Sequence, residues 1–400
     1  MPTTAIHEDA RSVGLDLRRW QRTLDLLAEW CRRGLIPSAG LICGRSDRTT
    51  RARVFGNQHL GNLTGGGNSS DGATQTVDET AAPIRDDAIF LVASITKPIV
   101  ALGALLLVER GQLSLDDRVC EIVSSFRGRG KYGVTVRHLL THTSGLPDML
   151  TNNRELRESH SPLEAFLAGA CAAEMGFPPG RGVRYQSMGF AVLGEIIRSV
   201  SGCSCSDFLR TEIFEPLWMN DTSLGAPDDW FDGPDAKAAR IAEIRVPEDQ
   251  REAAVDWGWN SRYWRGLGAP WGGVFSTPAD LARFAQLMLS GGSLDGVRIF
   301  SRATVEAATR NQLTGMPGVP TTDRETRPWG FGWRLNWPGF SPYFGDLLGP
   351  RMYGHMGATG TVLWMDPDRD AFAVILTTEP QEPHGTYLSR LSNAIAATLL

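Results

Sequence analysis

The sequence predicts an α/β protein of the α+β type: an antiparallel sheet built from the N- and C-terminal parts of the chain, flanked by helices, with a mostly helical subdomain inserted between them. Three observations carry this. Strand-like segments fall at residues 38–43, 51–55 and 88–92, and again at 361–365 and 371–377. The chain between them is dominated by helical spacing and capping signals. Residues 99–108 form a continuous apolar run, too short to span a bilayer and suited to a helix buried all round. The implied division is a discontinuous lobe of residues 1–115 plus 265–400 around a helical subdomain of 116–264.

Each element has a local reason. Leu17, Trp20, Leu24, Leu27 and Cys31 recur at helical spacing, and Gly34 and Pro37 stop that helix. Residues 38–43 and 51–55 read as a hairpin, and 61–83 as a long polar loop rich in Gly, Ser, Thr and Asn. The strand at 88–92 feeds a helix that begins around Ser94 and ends near Arg110, with Gly111 as its stop. Thr135 caps a short helix through Leu140, which runs into a turn-rich loop at 141–148. Ser161, Pro162 and Glu164 spell a capping box with proline at the first helical position, opening a helix to about Met175. An apolar helix at 190–200 ends near Gly202, and the charged stretch 227–250 reads as surface cover. Trp257, Trp259, Tyr263, Trp264 and Trp271 crowd one stretch, mainly for packing, with a pocket wall as the alternative. Thr277, Pro278 and Asp280 open a helix to Ser290, and Ser301 starts another. The last two strands join through the turn Asp366-Pro367-Asp368, and a helix at 389–399 closes the chain.

Composition excludes several classes. A net charge of −5 and scattered basic residues argue against a nucleic-acid or anionic-membrane partner. The N-terminal segment has no apolar stretch of the secretory type, so a cytoplasmic location is expected. Six cysteines without C-x-x-C or Cys/His ligand spacing read as reduced thiols, with no metal and no cofactor implied. The sequence does not fix an oligomeric state.

Chemistry first shows at Ser94-x-x-Lys97. On a helix, positions i and i+3 share a face, so hydroxyl and amine can meet. Serine attacks only when its proton has a base to go to. A lysine in an apolar site loses its charge more easily and can serve. Alone, this spacing describes a helix cap and a surface charge. Two details favour chemistry here: Lys97 opens an apolar helix, and lysine otherwise occurs only at 131 and 237, every other cationic side chain being arginine. The helix start also offers free N–H groups to an oxyanion.

No G-x-S-x-G, H-E-x-x-H or P-loop is present, and the glycines of 354–360 are misspaced for a dinucleotide fold and precede a strand. What remains are Ser94-x-x-Lys97, Tyr185-Gln186-Ser187 and His355-Met356-Gly357. In that order they resemble the serine β-lactamase and penicillin-binding-protein superfamily, and most closely its class C-type β-lactamases and family VIII carboxylesterases. Segments 139–147, 193–202 and 272–281 extend the resemblance, which covers about 35–399 as one β-lactamase-related domain.

The resemblance implies a β-lactamase/transpeptidase-like fold and a role for each position. Ser94 is the nucleophile that forms an acyl-enzyme, and Lys97 and Tyr185 handle its proton. The backbone N–H groups of Ser94 and Ala358 form the oxyanion hole. His355 stands where the family's K-T-G lysine stands, and with Gly357, Ser187 and Trp271 lines the substrate pocket. His142 braces the fold. Ser187 departs from the usual Y-x-N, whose amide touches a substrate amide. The expectation is a serine hydrolase acting on a small ester or amide, with short-chain esters ahead of β-lactams or D-amino-acid peptides. A non-catalytic member of the family is the alternative of another class.

Overall fold

The computed structural model describes residues 10–58, 82–233, 236–337, 343–380 and 385–400, and the side chain of Glu248 is left aside. Most of the polar loop at 61–83 lies outside the described residues. The described strands, in chain order, are β1 (Ser38–Gly44), β2 (Arg53–Gly56), β3 (Phe90–Leu91), β4 (Ser223–Leu224), β5 (Val274–Ser276), β6 (Ser293–Leu294) and β7 (Val297–Arg298). They continue with β8 (Arg334–Leu335), β9 (Tyr353–Gly357), β10 (Thr361–Asp366) and β11 (Ala371–Thr377). Six of these form one antiparallel sheet in the order β2-β1-β11-β10-β9-β8, so both ends of the chain meet at its centre, with Leu41 opposite Ile375. A small sheet, β3-β5-β4, ties the segment entering Ser94 to the later part of the chain.

Every residue of β1 and β11 is buried. Successive strand residues face opposite sides, so full burial requires cover on both faces. Leu41 and Ile375 pack with Trp20, Leu24 and Leu27 of the Leu17–Arg32 helix and with Leu391 of the Thr386–Ala396 helix. Ile42, Val374 and Leu376 belong to the other core, with Leu281 and Phe284 of the Pro278–Leu289 helix. That core also contains the Thr96–Glu109 helix, buried from Thr96 through Leu107, and the Met188–Ser201 helix packed on it. Among the described residues no helix is long and apolar enough to cross a membrane, and all six cysteines are free.

Several local expectations shift. The helix after β3 starts at Thr96, because Ala93 adopts φ 47° and the chain passes through a 3-10 turn, Ala93–Ile95, before it can coil. The capping box at Ser161 does not form: Pro162 is the cap of the Leu163–Ala172 helix, and the Ser161 hydroxyl pairs with Ser159 at 2.9 Å. That helix ends before 175 because Ala173 is extended. The last helix sits earlier than 389–399. The stretch 227–250 is not merely cover: Trp230, Ile241, Ala242 and Ile244 are buried, and Ile241 bridges Ile89.

Candidate active site

The Ser94 turn is held from two sides. Val92 donates its N–H to the Val274 carbonyl on β5, and Val274 donates its own to the Thr96 hydroxyl, both at 2.9 Å. From the large sheet, the Thr359 and Thr361 hydroxyls donate to the carbonyls of Leu91 (2.7 Å) and Val92 (2.9 Å). Gly357 on β9 lies so close to the Val92 carbonyl and the Thr361 hydroxyl that any Cβ would collide with them. The positive φ of Ala93 is thus kept by a surrounding that leaves the turn little freedom.

Lys97 is fully buried. Its Nζ donates to Ser94 Oγ at 3.0 Å and to the Trp271 carbonyl at 2.7 Å. Burial removes water from the ammonium and lowers its pKa from 10.5 to about 7, with Asp148 pulling weakly the other way. The amine therefore exchanges its proton near neutrality. Nζ also sits over the Tyr185 ring, 4.6 Å from its centroid.

Tyr185 lines the cavity, with burial raising its phenol above the usual range while a hydrogen bond with Ser94 opposes the rise. The phenol is held in its protonated form. His142, fully buried with φ 60°, packs behind it at 4.8 Å and accepts the Gln186 N–H through Nδ1 at 3.1 Å. Burial, with Lys97 and His355 nearby, holds His142 neutral. Ser187 does not present its hydroxyl as a free donor. Its Oγ (2.6 Å) and its N–H (3.0 Å) both donate to Asp148 Oδ1.

On β9, His355 donates from Nδ1 to the Met356 carbonyl at 2.7 Å, which leaves Nε2 as a lone-pair acceptor with no partner among the described residues. Burial first, then the charge of Lys97, lowers its pKa to about 3, so the ring is neutral. Ala358, in the exposed turn after β9, has an N–H with no acceptor among the described residues.

All the positions given a catalytic or pocket role from sequence, apart from Lys97 and Gly357, line one cavity of about 500 Å³. Lys97 reaches it through Ser94, and Gly357 lies behind its wall. Other lining residues had no sequence signal: Asp148, Met149, Arg157, Trp329, Arg334 and Trp337. Of the tryptophan cluster, Trp259, Trp264 and Trp271 line the cavity, while Trp257 stacks on Arg157, so the cluster serves both as packing and as wall.

An α+β chain with a serine–lysine pair at the mouth of a buried helix, facing the turn of the β9–β10 hairpin, defines a class of serine acyl-transfer folds. The model of the beta-lactamase family matches residues 36–397, and the chain belongs to that family. It is similar to penicillin-binding protein 4 of Amycolatopsis lactamdurans, 30% identical over 307 residues that cover 74% of each chain. The structure of a penicillin-binding-protein homologue from Caulobacter crescentus matches with a TM-score of 0.73 at 24% identity, over 96% of this chain and 99% of that one. The structure of a family VIII carboxylesterase matches with a TM-score of 0.72 at 21% identity, again over 96% and 99%.

Proposed function

We propose that this serine hydrolase of the beta-lactamase family forms an acyl-enzyme on Ser94 and cleaves, or transfers acyl groups from, short-chain carboxylic esters. The observation that carries the reading is Lys97, fully buried, 3.0 Å from Ser94 Oγ, with its pKa brought to about 7. One N–H of the neutral amine stays on the Trp271 carbonyl, and its lone pair takes the Ser94 proton as Oγ attacks the ester carbonyl. The Ser94 and Ala358 N–H groups receive the oxyanion. Tyr185, protonated at rest, hands its proton to the departing alkoxide and regains one from the Lys97 ammonium. Water, or another alcohol, then attacks the acyl-enzyme along the same route in reverse. The raised pKa of the buried phenol supports Lys97 as the base and Tyr185 as the acid, a choice the motif leaves open.

The preference for esters rests on Ser187. Its hydroxyl is spent on Asp148, so no neutral amide side chain stands there to register a substrate amide. The competing reading, a β-lactamase or D-amino-acid peptidase, is favoured by the penicillin-binding protein to which the chain is 30% identical. The test is a side-by-side assay of 4-nitrophenyl butyrate and a chromogenic cephalosporin, with Ser94→Ala as background. The expected kcat/KM ratio is at least ~100 in favour of the ester, about 2.7 kcal/mol in barrier. Equal or faster cephalosporin cleavage would replace the ester reading with the β-lactamase one.

A further inference from the structure

The cavity wall carries two arginines that the proposed reaction does not use. Arg157 belongs to the Asn153–Glu158 helix and Arg334 to the sheet edge at β8, so they reach the cavity from different elements. Neither has a carboxylate partner among the described residues. The contrast with the surroundings is sharp. Arg154 pairs with Glu158 at 2.7 Å, His160 with Asp256 at 3.1 Å and Arg262 with Asp232 at 2.6 Å. Arg157 instead lies 4.2 Å from the Trp264 ring and 5.1 Å from that of Trp257, touches one backbone carbonyl at 3.4 Å, and has a buried Nε with no acceptor. Arg157 is half-buried, and a guanidinium partly withdrawn from water without a counter-charge is unfavourable by itself, which an anion that binds beside it relieves. The two indoles fix the plane of the fork, which prepares it for a carboxylate.

We infer that Arg157 docks an anionic group on the acyl half of the substrate, a terminal carboxylate or its equivalent. The inference rests on the ester-cleaving reading. Trp271, Trp264 and Trp259 line the same cavity, with Trp264 in contact with Arg157. Trp271 begins beside Ser94, since its carbonyl holds Lys97. An alkyl chain attached to the reacting carbonyl would run along these indoles and place its far end at the guanidinium. The substrate class is then the half-esters of dicarboxylic acids.

The test compares mono-4-nitrophenyl adipate with 4-nitrophenyl hexanoate, equal in chain length and different in the terminal carboxylate, and 4-carboxyphenyl hexanoate, which carries its charge on the leaving group. Wild type should favour adipate over hexanoate by ~10- to 100-fold in kcat/KM, as one charge-assisted contact provides, and less so at high salt. Arg157→Met, which keeps a stem between the indoles, should bring that ratio to within about threefold of one, and Arg157→Lys should retain part of it. A wild-type ratio near one, an unchanged ratio in Arg157→Met, or a preference only for the charged leaving group would overturn the inference while leaving the esterase reading intact. If no ester is turned over, that reading fails first, and calorimetric titration of adipate decides the inference: binding weakened by Arg157→Met supports it, and absent or unchanged binding overturns it.

Discussion

On the helix side of the cavity, Ser94, Lys97, Tyr185 and Ser187 all have hydrogen-bond partners within the protein. Elsewhere on the cavity wall, His355 Nε2, Arg157 Nε, and Nε and Nη2 of Arg334 have none among the described residues, although each of these atoms is buried. Buried polar atoms are normally satisfied, so the difference separates two tasks. In the proposed mechanism the satisfied side is a reaction apparatus complete before substrate arrives. In the same proposal the unsatisfied groups await those that a substrate brings. Arg334 makes the point most strongly: it is buried, its guanidinium lies 3.8 Å from the Trp337 ring, and burial brings its pKa down to about 9.

This contrast breaks first at the nucleophile. Ser94→Ala should lower ester hydrolysis by at least ~1000-fold, the scale of losing a nucleophile, with thermal stability kept. Activity within a few-fold of wild type would mean that the satisfied side is not the reaction side. Next comes proton transfer. Lys97→Arg retains a cation that cannot give up its proton and should slow acylation by ~100-fold or more, with Tyr185→Phe comparable, as read by pre-steady-state release of 4-nitrophenol. Near-normal acylation in Lys97→Arg would reduce the lysine to a structural or electrostatic part.

Gly357→Ala sharpens the comparison from the sheet side. Its Cβ would push against the Val92 carbonyl and Thr361, the contacts that hold the Ser94 turn. A loss of about 1–3 kcal/mol in unfolding free energy is expected, and a drop in kcat of tenfold or more, because the attack geometry is tight. Unchanged kcat would show that the turn is fixed by other contacts. The smallest effect is in the pH profile. Activity needs neutral Lys97, so kcat/KM should rise through about pH 7 and level off above it. His355, at about 3, and His142, held neutral, lie outside that limb. The Asp148 charge favours the Lys97 ammonium, so Asp148→Asn should move the limb down in pH. A limb that stays in place, or moves up, would remove Asp148 from the account.

The same division explains what the sequence revealed. Ser94, Lys97 and the apolar run behind them are contiguous, and the i, i+3 spacing, carried by a 3-10 turn that runs into the helix, brings the two side chains together. The strands at the two chain ends were legible because β1 and β11 are buried on both faces and read as unbroken apolar runs. Short strands such as β4 and β8, two residues each, have no period to detect. Asp148, Arg157, Arg334 and Trp329 come from separate loops and elements, and only tertiary packing assembles them around the cavity. Lysine scarcity proved a weaker signal than burial. Lys237 is retained for an ordinary ion pair with Asp221 at 3.0 Å, and Lys131 is buried against the Cys171 carbonyl, while Lys97 is distinguished by a fully buried Nζ in contact with Ser94 Oγ.

The central claim is that Ser94 becomes acylated because a buried, readily neutral lysine takes its proton. Intact-protein mass spectrometry after brief exposure to a fluorophosphonate or an activated acyl ester tests it directly. Wild type should gain the mass of one adduct, mapped to the Ser94 peptide, Ser94→Ala should gain none, and Lys97→Arg should gain it far more slowly. An adduct on another residue, or equal labelling of Ser94→Ala, would contradict the account.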